Sequence, residues 1–315
     1  MRRSRVPAWI SLLLAALLSA GCSGGSYLSL QHDGLRRSVV IDRPEGTPGP
    51  RPTIIVLHAA TLAGSEARAE LRMSAAAGFV LAFPDSTGPV WNDLSFARVL
   101  PSILPQADDV GFLDALIAAL VRTGVADPNS IHLAGISNGG MMALRYACLR
   151  AERLASVTVF FATMALEDAE ACRPRRPITV SFVAGTADPV LRWSGEVAVA
   201  GLAVLQHRMP VPASFDFWRS ANGCRGLAPP WQLARRGGPS EPHVIVHSAT
   251  GCAAGVRTSL HEVRGGGHRL PGDTSWPPFW PLGRATTDFD AGAFIAETAS
   301  SEAGGLTLPV PAAAR

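Results

Sequence analysis

The chain is expected to fold as an α/β protein with a mostly parallel central sheet and helices on both faces. Three observations lead there. Continuous apolar runs of strand length, such as Thr53-Ile54-Ile55-Val56-Leu57 and Phe79-Val80-Leu81-Ala82-Phe83, read as strands buried on both faces, as parallel strands are. Segments of helical spacing alternate with these runs, which is the pattern of strand–helix–strand units. The 315 residues, 47% hydrophobic and 17% charged, suffice for one large domain with its own core.

The elements follow in order. Tyr27 to Leu30 and Ser38 to Asp42 read as two edge strands of a hairpin around His32-Asp33-Gly34. After a Pro/Gly loop comes the strand at Thr53, then a helical pattern from Ser65 to Ala77, then the strand at Phe79. A long polar loop runs from Pro84 to Ala107. Asp108 and Asp109 open a helix, Val110 to Arg122, with acids at its positive end. Ser130 to Ala134, Val157 to Phe161, Ile178 to Val183, His243 to Val246 and Thr258 to Val263 are further strands. Helices are expected at Met141 to Leu149, Pro212 to Ala221 and Phe289 to Glu297. There is no internal repeat and no long linker to a second domain. The layout is a signal over residues 1–21, a tether and first strand over 22–34, one domain over 35–297 and a loose tail over 298–315, rich in small residues and proline.

The leader has the composition of an export signal. Arg2, Arg3 and Arg5 precede Ala8 to Ala20, 13 residues without charge. A membrane-spanning helix needs about 20, whereas this length suits a signal peptide. The end, Leu18-Ser19-Ala20-Gly21-Cys22, resembles a bacterial lipobox with Cys22 as the lipidated residue, except that Ser19 stands where leucine is usual. Ordinary secretion with cleavage nearby is the plainer alternative. The expected location is extracellular or periplasmic, with a membrane tether through Cys22 if it is lipidated.

Net charge is +3, and without the three leader arginines 25 basic residues face 25 acidic ones. A near-neutral mature chain gives no basic surface for nucleic acid. Five cysteines leave one over. With Cys22 set aside, Cys148, Cys172, Cys224 and Cys252 can pair in three ways, of which the simplest is sequential, Cys148–Cys172 and Cys224–Cys252. No cysteine or histidine spacing suits structural zinc, and no cofactor is implied.

The chemistry centres on Gly135-Ile136-Ser137-Asn138-Gly139. A strand precedes it and a helix follows, so this G-x-S-x-G reads as the nucleophile elbow of α/β-hydrolases, with glycines where the turn brings backbone against backbone. Ser137 is the expected nucleophile, and the Asn138 N–H, at the helix start, an oxyanion donor. A serine needs a base and the base an orienting acid. In this fold they follow in the order Ser, Asp, His, on loops after later strands. Asp188, in Gly185-Thr186-Ala187-Asp188-Pro189 just past a strand, is better placed than Glu167, Asp168 or Glu170. His268 follows three glycines after the strand Thr258 to Val263. His132, His207, His243, His247 and His261 lie in or beside regular segments and read as structural, and His58 as a residue that holds its own loop. The second oxyanion donor is expected in His58-Ala59-Ala60-Thr61: Ala60, with Thr61 next.

Taken together, these stretches resemble the secreted polyhydroxybutyrate depolymerase and feruloyl esterase group of α/β-hydrolases. The resemblance rests on Phe83-Pro84-Asp85, Trp91-Asn92-Asp93, Asp108-Asp109-Val110-Gly111-Phe112, Asp127-Pro128-Asn129, the elbow through Met142, Gly185 to Val190, Asn222-Gly223-Cys224 and Gly265-Gly266-Gly267-His268. They span about residues 35–295. The resemblance implies Ser137, Asp188 and His268 as the triad, Trp91 as a pocket wall, and the pairing of Cys224 with Cys252. Two departures stand out. Ala59 replaces the glycine of a usual His-Gly pair, which would strain the loop if that position needs a positive φ. Arg269-Leu270 replaces a small residue and tryptophan after the histidine, so a substrate-facing aromatic is missing; the stretch Trp276 to Trp280 either replaces it or packs as a Pro/Trp loop. The expected activity is that of an exported serine esterase acting on short hydroxyalkanoate esters or oligomers. The alternatives are a feruloyl or acetyl esterase of plant polysaccharide, a peptidase on the same fold, and a ligand-binding lipoprotein that has kept the scaffold without turnover.

Overall fold

The computed structural model describes residues 19–20, 25–46, 48–73, 78–94, 107–199, 203–275 and 281–302. The leader up to residue 18, Cys22, the stretch Trp276 to Trp280 and the tail from residue 303 lie outside the described residues. Its strands are β1 (Ser19–Ala20), β2 (Ser26–His32), β3 (Leu35–Asp42), β4 (Arg51–Leu57), β5 (Val80–Pro84), β6 (Ala126–Ile136), β7 (Ser156–Phe160), β8 (Thr179–Gly185), β9 (Glu196–Val199), β10 (Ala203–His207), β11 (Gly226–Leu227), β12 (Trp231–Gln232), β13 (His243–Thr250) and β14 (Thr258–Arg264). Its helices of a full turn or more are α1 (Gly64–Leu71), α2 (Asp109–Arg122), α3 (Asn138–Arg150), α4 (Leu166–Ala171), α5 (Val211–Ala221) and α6 (Ala291–Glu302).

One large sheet carries the order β1-β2-β3-β5-β4-β6-β7-β8-β14-β13-β11, with β12 also on β13. The centre, from β5 through β4, β6, β7 and β8 to β14, is parallel. Antiparallel strands flank it on both sides: β2 and β3 at one edge, β13 with its short partners at the other. Strands β9 and β10 form a separate antiparallel pair. This is the α/β-hydrolase architecture.

The apolar runs are continuous because each central strand is covered twice. Successive side chains of a strand point to opposite faces. In β4, Ile55 and Leu57 join the core beneath α2, α3 and α5, with Phe112, Leu116, Met142 and Trp218. Ile54 and Val56 join the opposite core beneath α1 and α6, with Leu71 and Ile295. β5 divides in the same way, Val80 and Ala82 to one side, Leu81 and Phe83 to the other.

The helix limits have local causes. Asp108 caps α2 by accepting the Gly111 amide, and Asp109 lies in its first turn. Glu66 closes α1 by accepting the Ala63 amide, and Arg72 ends it in a left-handed conformation, φ 46°. Sulfur–sulfur bonds join Cys148 to Cys172 and Cys224 to Cys252. The first ties the end of α3 to the end of α4, and the second holds the turn after α5 against the end of β13. Loops of 24 and 28 residues correspond to about 3 kcal/mol each in unfolded-chain entropy. Among the described residues, no helix is long and apolar enough to cross a membrane.

Six elements were not read from the sequence: β1, which falls in the stretch read as the leader, and α4, β9, β10, β11 and β12. The two-residue β11 and β12 carry no periodicity. The pair β9–β10 crosses Gly201, and its run Val197 to Leu205 reads as one apolar stretch without a turn signal.

The sheet floor holds a buried histidine. His132 of β6 lies between Ser130 Oγ (3.1 Å to Nε2) and Ser156 Oγ (2.8 Å to Nδ1), with the Phe79 ring edge-on. Burial lowers its pKa from 6.5 to about 4. A base with a depressed folded-state pKa leaves the unfolded chain binding more protons. Its contribution is therefore complete above pH 6.5 and is lost as pH falls toward 4. Urea unfolding should lose about 2 kcal/mol to this residue between pH 7.5 and 5. His132→Gln should be less stable at pH 7.5 but show a flatter decline; an unchanged decline would assign the pH dependence elsewhere.

Candidate active site

The elbow is built by close approach. Ser137 sits between β6 and α3 at φ 53° and ψ −118°, a conformation L-residues rarely adopt. Its amide is held by Phe160 O (2.8 Å), the last residue of the neighbouring strand. A methyl group on Gly135 would collide with the Gly139 backbone, and one on Gly139 with the carbonyls of Leu57 and His58. Both glycines are therefore required by backbone contacts that cannot relax.

Three separate loops converge on this serine. His268 Nε2 lies 3.0 Å from Ser137 Oγ, and its Nδ1 lies 2.7 Å from Asp188 Oδ2. The other oxygen of Asp188 accepts the amides of Val190 (2.8 Å) and Leu191 (2.9 Å), so the carboxylate is fixed at both oxygens. It is 5% exposed. A carboxylate on Nδ1 selects the tautomer with the proton there, leaving the Nε2 lone pair toward the serine hydroxyl. The His268 loop is pinned by backbone bonds from Gly267 to Arg284 O and from His268 to Leu282 O. The Phe161 ring packs against the imidazole at 4.9 Å. Phe161 itself takes a positive φ, 53°.

Such a set can move a proton from Ser137 Oγ to His268 while Asp188 holds the ring, the requirement for attack on a carbonyl carbon. The developing oxyanion needs N–H donors. The Asn138 amide is at the first turn of α3, where no intrahelical acceptor exists. In the facing loop, the Thr61 amide donates to Pro89 O (2.6 Å). Among the described residues no backbone acceptor pairs with the Ala60 amide.

His58 holds this loop from within. Its Nε2 accepts the Ser86 amide (3.1 Å), so Nδ1 carries the proton and donates to Ala59 O (2.8 Å). Burial lowers its pKa and keeps the ring neutral. Ala59 is not among the residues with positive φ; Thr61 is, at 66°. Alanine in place of glycine therefore strains nothing at position 59.

Trp91 corrects the expected pocket wall. It is fully buried, its Nε1 donates to His58 O (3.1 Å), and its ring stands 5.1 Å from that of His58. The indole props the oxyanion loop from behind and does not line an open pocket. Arg269, at the departure after His268, is turned inward as well, pairing with Asp273 (3.0 Å).

Two arginines near the site, Arg37 and Arg208, were not singled out in the sequence, although their partners Asp109 and Asp93 stand in the motifs quoted above. Arg37 of β3 pairs with Asp109, donates twice to Asp85 O and stacks on Phe112 at 3.6 Å. Asp109 also accepts the Asn92 amide. Asp93 pairs with Arg208, both side chains 1% exposed. Charge in a loop or strand is visible in a sequence, but its partner is not, since these pairs join residues 72 and 115 positions apart.

Comparison with known proteins points to esterases. No protein-family model matches the chain. It is 26% identical to Feruloyl esterase B of Piromyces equi over 248 residues, 74% of this chain but only 42% of that protein. The chain thus spans less than half the length of that relative. It is 30% identical over 255 residues to a protein of Nocardia uniformis subsp. tsuyamanensis named "Putative esterase NocK", covering 78% of this chain and 71% of that one. Among solved structures, acetyl xylan esterase from Aspergillus awamori superposes with a TM-score of 0.50 at 13% identity, over 74% of this chain and 89% of that one. That likeness concerns the fold alone.

Gly139→Ala puts a methyl against the carbonyls of Leu57 and His58 and should lower unfolding free energy by about 1–3 kcal/mol. A urea midpoint equal to that of the unaltered protein would show that the elbow has room to yield. With the elbow, the converging loops and the parallel sheet in place, and with 30% identity across most of both chains, this chain belongs to the esterase family of α/β-hydrolases.

Proposed function

We propose that the chain is a carboxylic-ester hydrolase that works through a serine-bound acyl intermediate. The observation that carries this is the His268 imidazole bonded at one nitrogen to Ser137 Oγ and at the other to Asp188. Ser137 Oγ attacks the ester carbonyl carbon as His268 Nε2 takes its proton. The amides of Asn138 and Ala60 receive the oxyanion. His268 returns the proton to the departing alcohol, and water activated by the same imidazole releases the acid. Asp188 stays ionised and holds the imidazolium.

Two substrate classes remain in play on this reading. Hydroxyalkanoate oligomers follow from the motif resemblance. Feruloyl esters are favoured by the name of a sequence relative, with acetyl esters of polysaccharide as the neighbouring alternative. Export is supported by the two disulfides, which persist in oxidising compartments, and by the composition of the leader. A lipid anchor at Cys22 rests on the leader sequence alone.

Mature protein should hydrolyse p-nitrophenyl butyrate and be labelled at Ser137 by a fluorophosphonate. Ser137→Ala should abolish labelling and lower kcat at least about 10³-fold, and Asp188→Asn should lower kcat by roughly 10³–10⁴ by losing the correct tautomer. Folded protein that neither labels nor turns over any ester would return the chain to a ligand-binding role. A panel of methyl ferulate, acetylated xylan and hydroxybutyrate oligomers then assigns the acyl group by relative kcat/KM.

A further inference from the structure

We infer that Asp93 and Arg208 form a buried positioning pair for the ester-hydrolysing site, an inference that rests on the serine-esterase reading above. Neither side chain is part of the Ser–His–Asp set. Arg208 Nη1 donates to Asp93 Oδ2 at 2.9 Å, and each side chain is 1% exposed. A buried ion pair returns little net stability, because desolvating both charges offsets their attraction. Its value must then be sought in what it holds in register.

The contacts on each side reach every part of the site. Asp93 Oδ1 accepts from Asn138 Nδ2 (3.4 Å), the residue after Ser137. The same Asn138 side chain makes a two-point contact with the Trp91 backbone, accepting the amide at 2.7 Å and donating to the carbonyl at 3.2 Å. Trp91 in turn holds His58 O at the base of the loop that carries Ala60. So the Trp91–Asp93 segment is clamped between the start of the nucleophile helix and the oxyanion loop.

On the other side, the Arg208 guanidinium donates twice to Thr163 O, at 2.6 and 3.1 Å. Thr163 lies two residues past Phe161, whose ring packs on His268. Arg208 also closes the segment that starts just after Asp188: its amide bonds Gly195 O, the Met209 amide bonds Met164 O, and a methyl on Gly195 would collide with the Arg208 carbonyl. The guanidinium thus ties the histidine-packing segment to the carboxylate that touches the nucleophile helix, and the backbone amide of the same residue holds the segment that follows Asp188. The two parts of the site, oxyanion donors on one side and His–Asp on the other, are held at a fixed separation across residues 115 positions apart in the chain. A separation error of about 1 Å between reacting groups costs roughly 10²-fold in rate, which sets the scale of the expected effect.

The test uses Asp93→Asn, close in shape, and the double variant Asp93→Asn/Arg208→Met, which removes both charges so that neither is left buried alone. Melting temperature, kcat and KM for p-nitrophenyl butyrate, and the rate of fluorophosphonate labelling at Ser137 are measured together. A positioning role predicts a folded double variant with kcat lowered 10- to 100-fold, KM within threefold, and labelling slowed in parallel. A folded variant with kcat within twofold of the unaltered enzyme, or with a change confined to KM, overturns the inference. Loss of folding in both variants also overturns it, by assigning the pair to stability. If unaltered protein is not labelled at Ser137, the serine-esterase reading itself fails; if it is labelled and the folded variants keep kcat, only the positioning role fails.

Discussion

The site depends on one steric constraint, the crossing of backbones at the elbow. Ser137 is forced to φ 53° between a strand and a helix, and Gly139 lies against the carbonyls of Leu57 and His58. That approach brings the end of β4, the start of α3 and the loop after β4 into one place. The start of α3 can come against the end of β4 only because position 139 carries no side chain. Strain at Ser137 persists because the end of β6 that leads into it is bonded on both sides, to β4 and to β7.

Around this crossing the protein uses buried polar contacts where a packed apolar wall would be simpler. Asn138 holds the Trp91 backbone, Trp91 holds His58 O, and His58 holds the Ser86 amide and Ala59 O. Arg37 with Asp109 and Arg208 with Asp93 close the network from opposite sides. Directional bonds constrain angle as well as distance, and a fully satisfied network specifies one arrangement. The apolar layers supply the stability and the polar contacts supply the register.

Much of this was legible locally. The strands β4, β5, β7, β8 and β14 announce themselves as apolar runs because both faces of each are covered. Asp108 announces the start of α2 because a cap acts within one turn. The elbow and the order Ser137, Asp188, His268 are short patterns whose chemistry leaves few other assignments. The resemblance implied Trp91 as a pocket wall, whereas packing buries it and directs its indole N–H to His58 O. The suspected strain at Ala59 also dissolves in the structure, where the positive φ has moved to Thr61.

By itself the sequence determined the class of fold and the strands that form its parallel centre, and it marked Ser137, Asp188 and His268 as candidates, because each mark depends on spacing along a few neighbouring residues. Tertiary structure alone decided the partners: Arg208 with Asp93, Arg37 with Asp109, Phe161 against His268, and the β9–β10 pair that follows the acid loop. Those contacts join positions far apart in the chain. A charge or a ring carries no local mark of what it will meet once two hydrophobic layers have closed around the sheet.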